Sequence, residues 1–258
     1  MRISAFSVDR KAEKYEFAFA PFVFCLIPFA SSVAVFSCVA PLRPDKTIVM
    51  MHTPPHSPLA IAVLASHGGS NFQAILDHIA DGRLAARVVL VVSNNSASKA
   101  LERARRANVP WRHISTRTEG DDDAADRTLC AALHEAGAEV VVLAGYMKKL
   151  GPRTLEAFCG RILNIHPALL PRHGGPGMYG LRPHEAALAA GDTESGATVH
   201  AVTSGYDEGP ILRQRCVPIQ PDDTPETLQQ RVLAVEHELY SETLADIASG
   251  VLVWPVGG

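Results

Sequence analysis

The chain has 258 residues, 47% hydrophobic and 20% charged, which suits a folded globular protein and excludes disorder, collagen and a coiled coil as descriptions of the whole. At roughly 150 residues per domain it allows one large domain, or one domain with an appendage. Lys and Arg number 24 against 27 Asp and Glu, and a net charge of -3 leaves no basic excess for holding a nucleic acid.

Residues 1–58 read as a poorly structured extension closed by a linker. Phe17 to Ala40 is almost wholly apolar, but Pro21 and Pro28 interrupt it, Pro41 follows it and Ser31-Ser32 lies inside it. A spanning helix needs about 20 apolar residues, so the run is barely long enough and badly punctuated for one. Two readings stay open. Arg10, Lys11 and Lys14 before the run, with Ser37-Cys38-Val39-Ala40 after it, imitate a signal peptide; alternatively the segment is an artefact of an upstream start codon, Met50 and Met51 being natural starts. The prolines of His52-Thr53-Pro54-Pro55-His56-Ser57-Pro58 mark the linker.

From Leu59 the chain becomes rhythmic. Leu59 to Leu64 is a continuous apolar run, Ser66 to Asn71 is small and polar, and Phe72, Ile75, Leu76 and Ile79 follow at helical spacing. Arg87 to Val92 is a second strand and Lys99 to Ala107 a helix; Val109 to Ile114 is a short third strand and Ala124 to Ala136 a helix. Glu139 to Leu143, a helix near Pro152 to Cys159, and Arg161 to Ile165 continue the alternation. Thr198 to Val202 alternates in polarity, Ile211 to Val217 is extended, and Thr224 to Ile247 is one long amphipathic helix. Continuous apolar strands alternating with helices predict an α/β domain over 59–258: a doubly wound, mainly parallel open sheet with a long C-terminal helix. In such a sheet ligands gather at the carboxyl ends of the strands. Ser66 to Asn71, Gly145 to Leu150 and Asn164 to Pro167 should therefore share one edge.

The five cysteines, Cys25, Cys38, Cys130, Cys159 and Cys216, are odd in number and contain no CxxC pair, which speaks against a disulfide framework or zinc ribbon and for a reducing compartment, the cytoplasm. In Ser66-His67-Gly68-Gly69-Ser70-Asn71 the glycines allow close backbone approach, and Ser70 or Asn71 is placed to cap a helix whose N–H groups attract phosphate. The segment matches neither GxGxxG nor a P-loop, and it is equally an ordinary glycine turn. Asn164-Ile165-His166 puts an amide and an imidazole on the same side of a strand end, two N–H donors for an oxyanion beside a group that moves protons near neutral pH. A hydrogen-bonded structural histidine is the plainer reading. Arg172 to Gly177 is a mobile lid or merely a turn. Asp207, in Tyr206-Asp207-Glu208-Gly209-Pro210, is either a turn residue or the carboxylate that charges a histidine. The histidine spacings match no compact zinc site, so no metal is expected.

Gly69-Ser70-Asn71, Asn164 through Pro171 (Asn-Ile-His-Pro-Ala-Leu-Leu-Pro), Gly196-Ala197-Thr198-Val199-His200 and Asp207-Glu208-Gly209-Pro210 together resemble the folate-dependent glycinamide ribonucleotide formyltransferases, in order from about Leu59 to Gly250. The resemblance implies a Rossmann-like formyltransferase fold and transfer of a formyl group from the co-substrate 10-formyltetrahydrofolate to glycinamide ribonucleotide in purine biosynthesis. It implies that Gly69, Ser70 and Asn71 bind the phosphate; that Met147, Lys148, Lys149 and Leu150 line the folate site together with Asn164; that Asn164, His166 and Asp207 are catalytic; and that Glu236 contacts the glycinamide substrate. Both partners are small molecules, with no nucleic acid expected and no membrane expected for the catalytic domain, and nothing in the sequence assigns an oligomeric state. Two segments depart from the family pattern: Glu119-Gly120-Asp121-Asp122-Asp123 stands where an arginine meets the folate, with Arg117 the nearest substitute, and the glycine loop Gly174 to Gly180 is longer than usual. Competing functions are a 10-formyltetrahydrofolate deformylase, which would bring a regulatory domain that residues 1–58 do not resemble; a methionyl-tRNA formyltransferase, which needs a basic tRNA-binding domain; and a non-catalytic phosphosugar-binding module, which needs none of the three polar groups.

Overall fold

The structure, a computed structural model, describes residues 57–252. The extension, the signal-like run and all but the end of the linker expected over 1–58 lie outside the described residues. The rest forms β1 (Leu59–Leu64), α1 (Ser70–Ala80), β2 (Ala86–Ser93), α2 (Lys99–Arg106), β3 (Trp111–His113), α3 (Thr116–Glu119), α4 (Asp122–Glu135), β4 (Val140–Leu143), α5 (Pro152–Ala157), β5 (Ile162–His166), α6 (Arg182–Ala189), β6 (Glu194–Ala201), β7 (Ile211–Pro218) and α7 (Pro225–Ala248). The strands make one sheet in the order β3-β2-β1-β4-β5-β6-β7. Pairings from β3 to β5 are parallel; β6 and β7 are antiparallel to their neighbours. The doubly wound, mainly parallel sheet expected from the sequence is the one observed.

The continuous apolar strands are explained by a core on each face. Ile61, Val63, Val140, Val142, Leu163 and Ile165 join Phe72 and Ile75 of α1 and the buried side of α7 in one core. The residues between them, Ala62, Leu64, Val141, Leu143 and Ile162, join Leu129 and Leu133 of α4 and Phe158 in the other. Because successive side chains point to opposite faces, a strand covered on both sides needs apolar residues at every position. Each fully buried Phe or Ile stabilises the fold by roughly 1.5–3 kcal/mol, which makes these helix faces the cement of the layers.

Two anchors fix the loops that matter below. The Tyr240 hydroxyl, fully buried on α7, donates to the Leu163 carbonyl at 2.8 Å, tying the long helix to β5. Asp126 of α4 accepts the N–H groups of Arg153 and Thr154 at 2.9 and 3.2 Å and the Thr154 hydroxyl at 2.6 Å, capping α5 from a neighbouring helix and holding the segment before it.

Several expectations differ in detail. The third strand is only Trp111–His113, exposed at the sheet edge, because Pro110 lacks the N–H a longer strand would use. The short α3 and the helix α6 are additions. The alternating polarity of Thr198 to Val202 does not mean a half-exposed strand: β6 is buried from Ser195 to Ala201. Thr198 is satisfied internally, its hydroxyl donating to the Ala168 carbonyl at 2.6 Å and accepting the Leu170 N–H at 3.1 Å. Buried hydrogen-bonded polar groups are indistinguishable in sequence from solvated ones.

Candidate active site

At the carboxyl ends of β1, β4 and β5 the sheet opens into a cleft of about 510 Å³. Strand order reverses between β1 and β4, the place where open α/β sheets bind ligands. Gly69, Ser70, Asn71, Met147, Lys148, Lys149, Leu150, Asn164, His166, Asp207 and Glu236 all line this one cleft. The three strand-end segments thus share an edge, as the sheet required. Arg117 is exposed on α3 and is not part of the cleft wall.

The loop after β1 turns into α1 at Gly69, whose φ of 66° is left-handed and whose Cβ, were there one, would fall 2.8 Å from the Ala100 Cβ. Both constraints select glycine. This corrects the expected cap: Gly69, not Ser70 or Asn71, is the N-cap, and no side chain caps the helix. Ser70 begins the helix, and Asn71 has turned inward, its Nδ2 donating to Glu236 Oε2 at 2.8 Å. The first N–H groups of α1 are therefore left without intrahelical or side-chain acceptors, the arrangement that attracts an anion. The preceding Ser66 ties loop ends together, its hydroxyl donating to Asn94 Oδ1 and accepting the Met147 N–H at 2.8 Å.

Glu236 is buried, and that burial lifts its carboxyl to about 7 against the opposing Asn71 hydrogen bond. Its ordinary value is 4.5, so between those two values the folded protein holds a proton that the unfolded chain has released. Stability present at low pH is consequently lost as pH rises through the folded value, by on the order of 3 kcal/mol. Glu236→Gln imitates the protonated form and is expected to remove that slope. In urea unfolding the two proteins should agree within about 1 kcal/mol at about pH 4 and the variant should be the more stable at about pH 8; a slope that survives in the variant would contradict the assignment.

Asn164 and His166 project from β5 on the same side, opposite the face carrying Leu163 and Ile165. Antiparallel pairing sets His200 of β6 across from Asn164 and Thr198 across from His166. Asp207 reaches them from the loop after β6, with a left-handed φ of 57°. The turn that returns it needs Gly209, because a Cβ there would lie 1.8 Å from the Ala201 carbonyl oxygen. One Asp207 oxygen faces His166 Nδ1 at 3.4 Å and accepts the Gly175 N–H at 2.9 Å; the other faces His200 Nε2 at 3.4 Å. The glycine loop is thus tied to the carboxylate rather than a free turn.

Proton positions follow from the acceptors. His166 Nε2 lies 2.9 Å from the His173 carbonyl, which can only accept, so Nε2 carries hydrogen and the exchangeable proton belongs to Nδ1, facing Asp207. His173 is itself held by Asp192, Nε2 to Oδ2 at 2.7 Å. Burial pulls the His166 pKa down, and Asp207 and the His173 carbonyl pull it up; burial is the larger effect and the net shift is downward. The upward influence of Asp207 anticipated from the sequence is present but outweighed. Burial also pushes the Asp207 carboxyl up, yet its contacts with His200, His166 and the Gly175 N–H together leave it below the usual carboxylate range, hence ionised.

Two buried histidines of the cleft were not singled out as site residues from the sequence. His200 gives its Nδ1 hydrogen to the Ala201 carbonyl at 3.0 Å and presents Nε2 to Asn164 Nδ2 at 3.1 Å. Asn164 Nδ2 and Asp207 Oδ1 thus converge on this one ring nitrogen. Its signal was its place opposite Asn164, which only strand register reveals. His184 of α6 is buried with neither ring nitrogen partnered, and burial together with the nearby His166 pushes it down to about 4, so it is neutral at physiological pH. Among the described residues no group of three His, Cys, Asp or Glu side chains is set to hold a metal ion.

The family model for formyl transferases matches residues 59–244. A chloroplastic phosphoribosylglycinamide formyltransferase of Arabidopsis thaliana is 41% identical over 199 residues, covering 77% of this chain and 68% of that protein. The trifunctional purine biosynthetic protein adenosine-3 of Drosophila pseudoobscura pseudoobscura is 42% identical over 194 residues, 74% of this chain but only 14% of its own length. Among solved structures, glycinamide ribonucleotide transformylase 1 of Symbiobacterium toebii superposes with a TM-score of 0.71 at 44% identity, covering 76% of this chain and 90% of that one.

Proposed function

The chain belongs to the formyl transferase family, and on that footing we propose that it transfers the formyl group of 10-formyltetrahydrofolate to the amine of glycinamide ribonucleotide, as a phosphoribosylglycinamide formyltransferase of purine biosynthesis. The observation that carries the reading is the convergence of Asn164, His166 and Asp207 on the cleft that also receives the free N–H groups of α1. A phosphosugar-binding module would use the α1 end alone.

The ribonucleotide phosphate sits at Gly69, Ser70 and Asn71, with Glu236 on the glycinamide side, while the folate lies along Met147, Lys148, Lys149 and Leu150. Attack of the amine on the formyl carbon forms a C–N bond and moves the carbonyl π electrons to oxygen. Asn164, oriented by His200, donates an N–H to that oxyanion. The attacking nitrogen becomes cationic and must lose a proton, while the folate nitrogen must gain one when its C–N bond breaks. His166 Nδ1, under the field of Asp207, is the group placed to stabilise the oxyanion as imidazolium and to take part in that proton exchange. Among the described residues the thiols of Cys130, Cys159 and Cys216 are free. Among the described residues no helix is long and apolar enough to cross a membrane.

The test is a steady-state assay with 10-formyltetrahydrofolate, run with glycinamide ribonucleotide and with water alone. Formylated ribonucleotide made far faster than free formate supports the transferase. Folate deformylation that ignores the amine would instead make this a hydrolase.

A further inference from the structure

Arg103 of α2 does not line the cleft, yet its Nε donates to the Gly68 carbonyl at 3.0 Å and its Nη1 to Gln73 Oε1 at 2.8 Å. Its neighbours are otherwise engaged: Arg106 pairs with Glu102, and Arg105 stacks over Trp111. Arg103 has no carboxylate partner among the described residues, so its charge is not cancelled locally. The start of α2 holds the preceding carbonyl too, His67 O accepting from the Ser98 hydroxyl at 2.9 Å and the Ala100 N–H at 3.1 Å.

In a trans peptide the C=O and the N–H of one unit point in opposite directions. Drawing the carbonyls of His67 and Gly68 toward α2 therefore aims the N–H groups of Gly68 and Gly69 away from it. Neither N–H has a protein acceptor among the described residues. A guanidinium on a carbonyl is a charge-assisted hydrogen bond, and it polarises the whole peptide, making the N–H at the other end a stronger donor.

We infer that Arg103 is a positioning residue for the phosphate subsite, fixing and polarising the Gly68–Gly69 peptide from behind and supplying uncancelled positive charge to the bound dianion. This rests on the phosphate reading of the loop given above, and it adds a residue that acts through the loop without touching the ligand.

Arg103→Met keeps the stem and removes the charge. Steady-state kinetics should show the KM for glycinamide ribonucleotide rising about tenfold or more, with turnover and the KM for 10-formyltetrahydrofolate changed less than about twofold. The dephosphorylated analogue, glycinamide riboside, should react equally well with both proteins, and Arg103→Lys should recover part of the loss. An equal loss with riboside and ribonucleotide, or an equal rise in both KM values, would overturn the inference in favour of a purely structural arginine. Inorganic phosphate supplies a second readout that needs no turnover: it should raise the thermal midpoint of the unaltered protein more than that of Arg103→Met. If the unaltered protein formylated nothing but kept that difference, the proposed function would fail and the inference stand. Equal midpoint shifts would sink the inference whatever the activity.

Discussion

Asn164→Ala and His166→Ala are each expected to lower turnover by roughly a hundred- to a thousandfold, because the first removes the N–H aimed at the oxyanion and the second the proton-transfer group. Asp207→Asn should be comparably damaging. It keeps the size of the side chain but removes the charge that two imidazoles face, at 3.4 Å each. None of the three groups holds the phosphate, so the KM for glycinamide ribonucleotide should move far less than turnover. Double variants should lose less than the product of the single losses, since the residues act as one unit. The check is kcat and KM for the singles and doubles, with thermal midpoints to confirm folding; near-normal turnover in folded Asn164→Ala and His166→Ala would overturn the mechanism.

Gly69→Val should act on binding instead. A side chain here would have to adopt a φ of 66° and sit 2.8 Å from the Ala100 Cβ, so the loop must shift away from α2. Strain of that kind costs on the order of 1–3 kcal/mol, and the N–H groups that hold the phosphate move with it. The KM for the ribonucleotide should therefore rise by about tenfold or more, from the loss of charge-assisted hydrogen bonds, while that for the folate stays nearly constant. Equal changes in both constants would refute the phosphate assignment. The obstruction comes from behind the loop, a detail that glycine content alone does not disclose.

What was legible in the sequence was whatever depends on neighbours along the chain. The apolar run Leu59 to Leu64 coincides with β1 because a strand buried on both faces admits no polar interruption. Thr224 marks the start of α7 because its side chain and that of Thr227 cap one another's backbone N–H groups. By contrast α6 begins after Leu181 with no side-chain cap, leaving Pro183 and Glu185 in its first turn as its local signs. The cleft shows the same division. Asn164 and His166 are two residues apart and could be placed on one side of a strand by spacing alone. His200 is 36 residues from Asn164, and Glu236 is 165 from Asn71, so their hydrogen bonds exist only once the sheet and α7 are assembled. Capping by Ser70 or Asn71 was a local inference that tertiary structure overrode: Gly69 packs on α2, and Asn71 is drawn to the buried Glu236.

The antiparallel register of β5 and β6 also limits how this protein can exchange segments with its relatives. Side chains alternate along β6, with Thr198 and His200 on the side of His166 and Asn164 and Ala197 and Val199 in the core shared with α7. One residue inserted before Thr198 within Glu194–Ala201 would reverse that parity from the insertion onward, if the residues before it kept their register. Apolar Val199 would then stand opposite Asn164, and an imidazole would enter the apolar layer beneath α7. Recombinants can therefore change length in the turns that flank this strand, but a crossover inside it must preserve the count residue for residue.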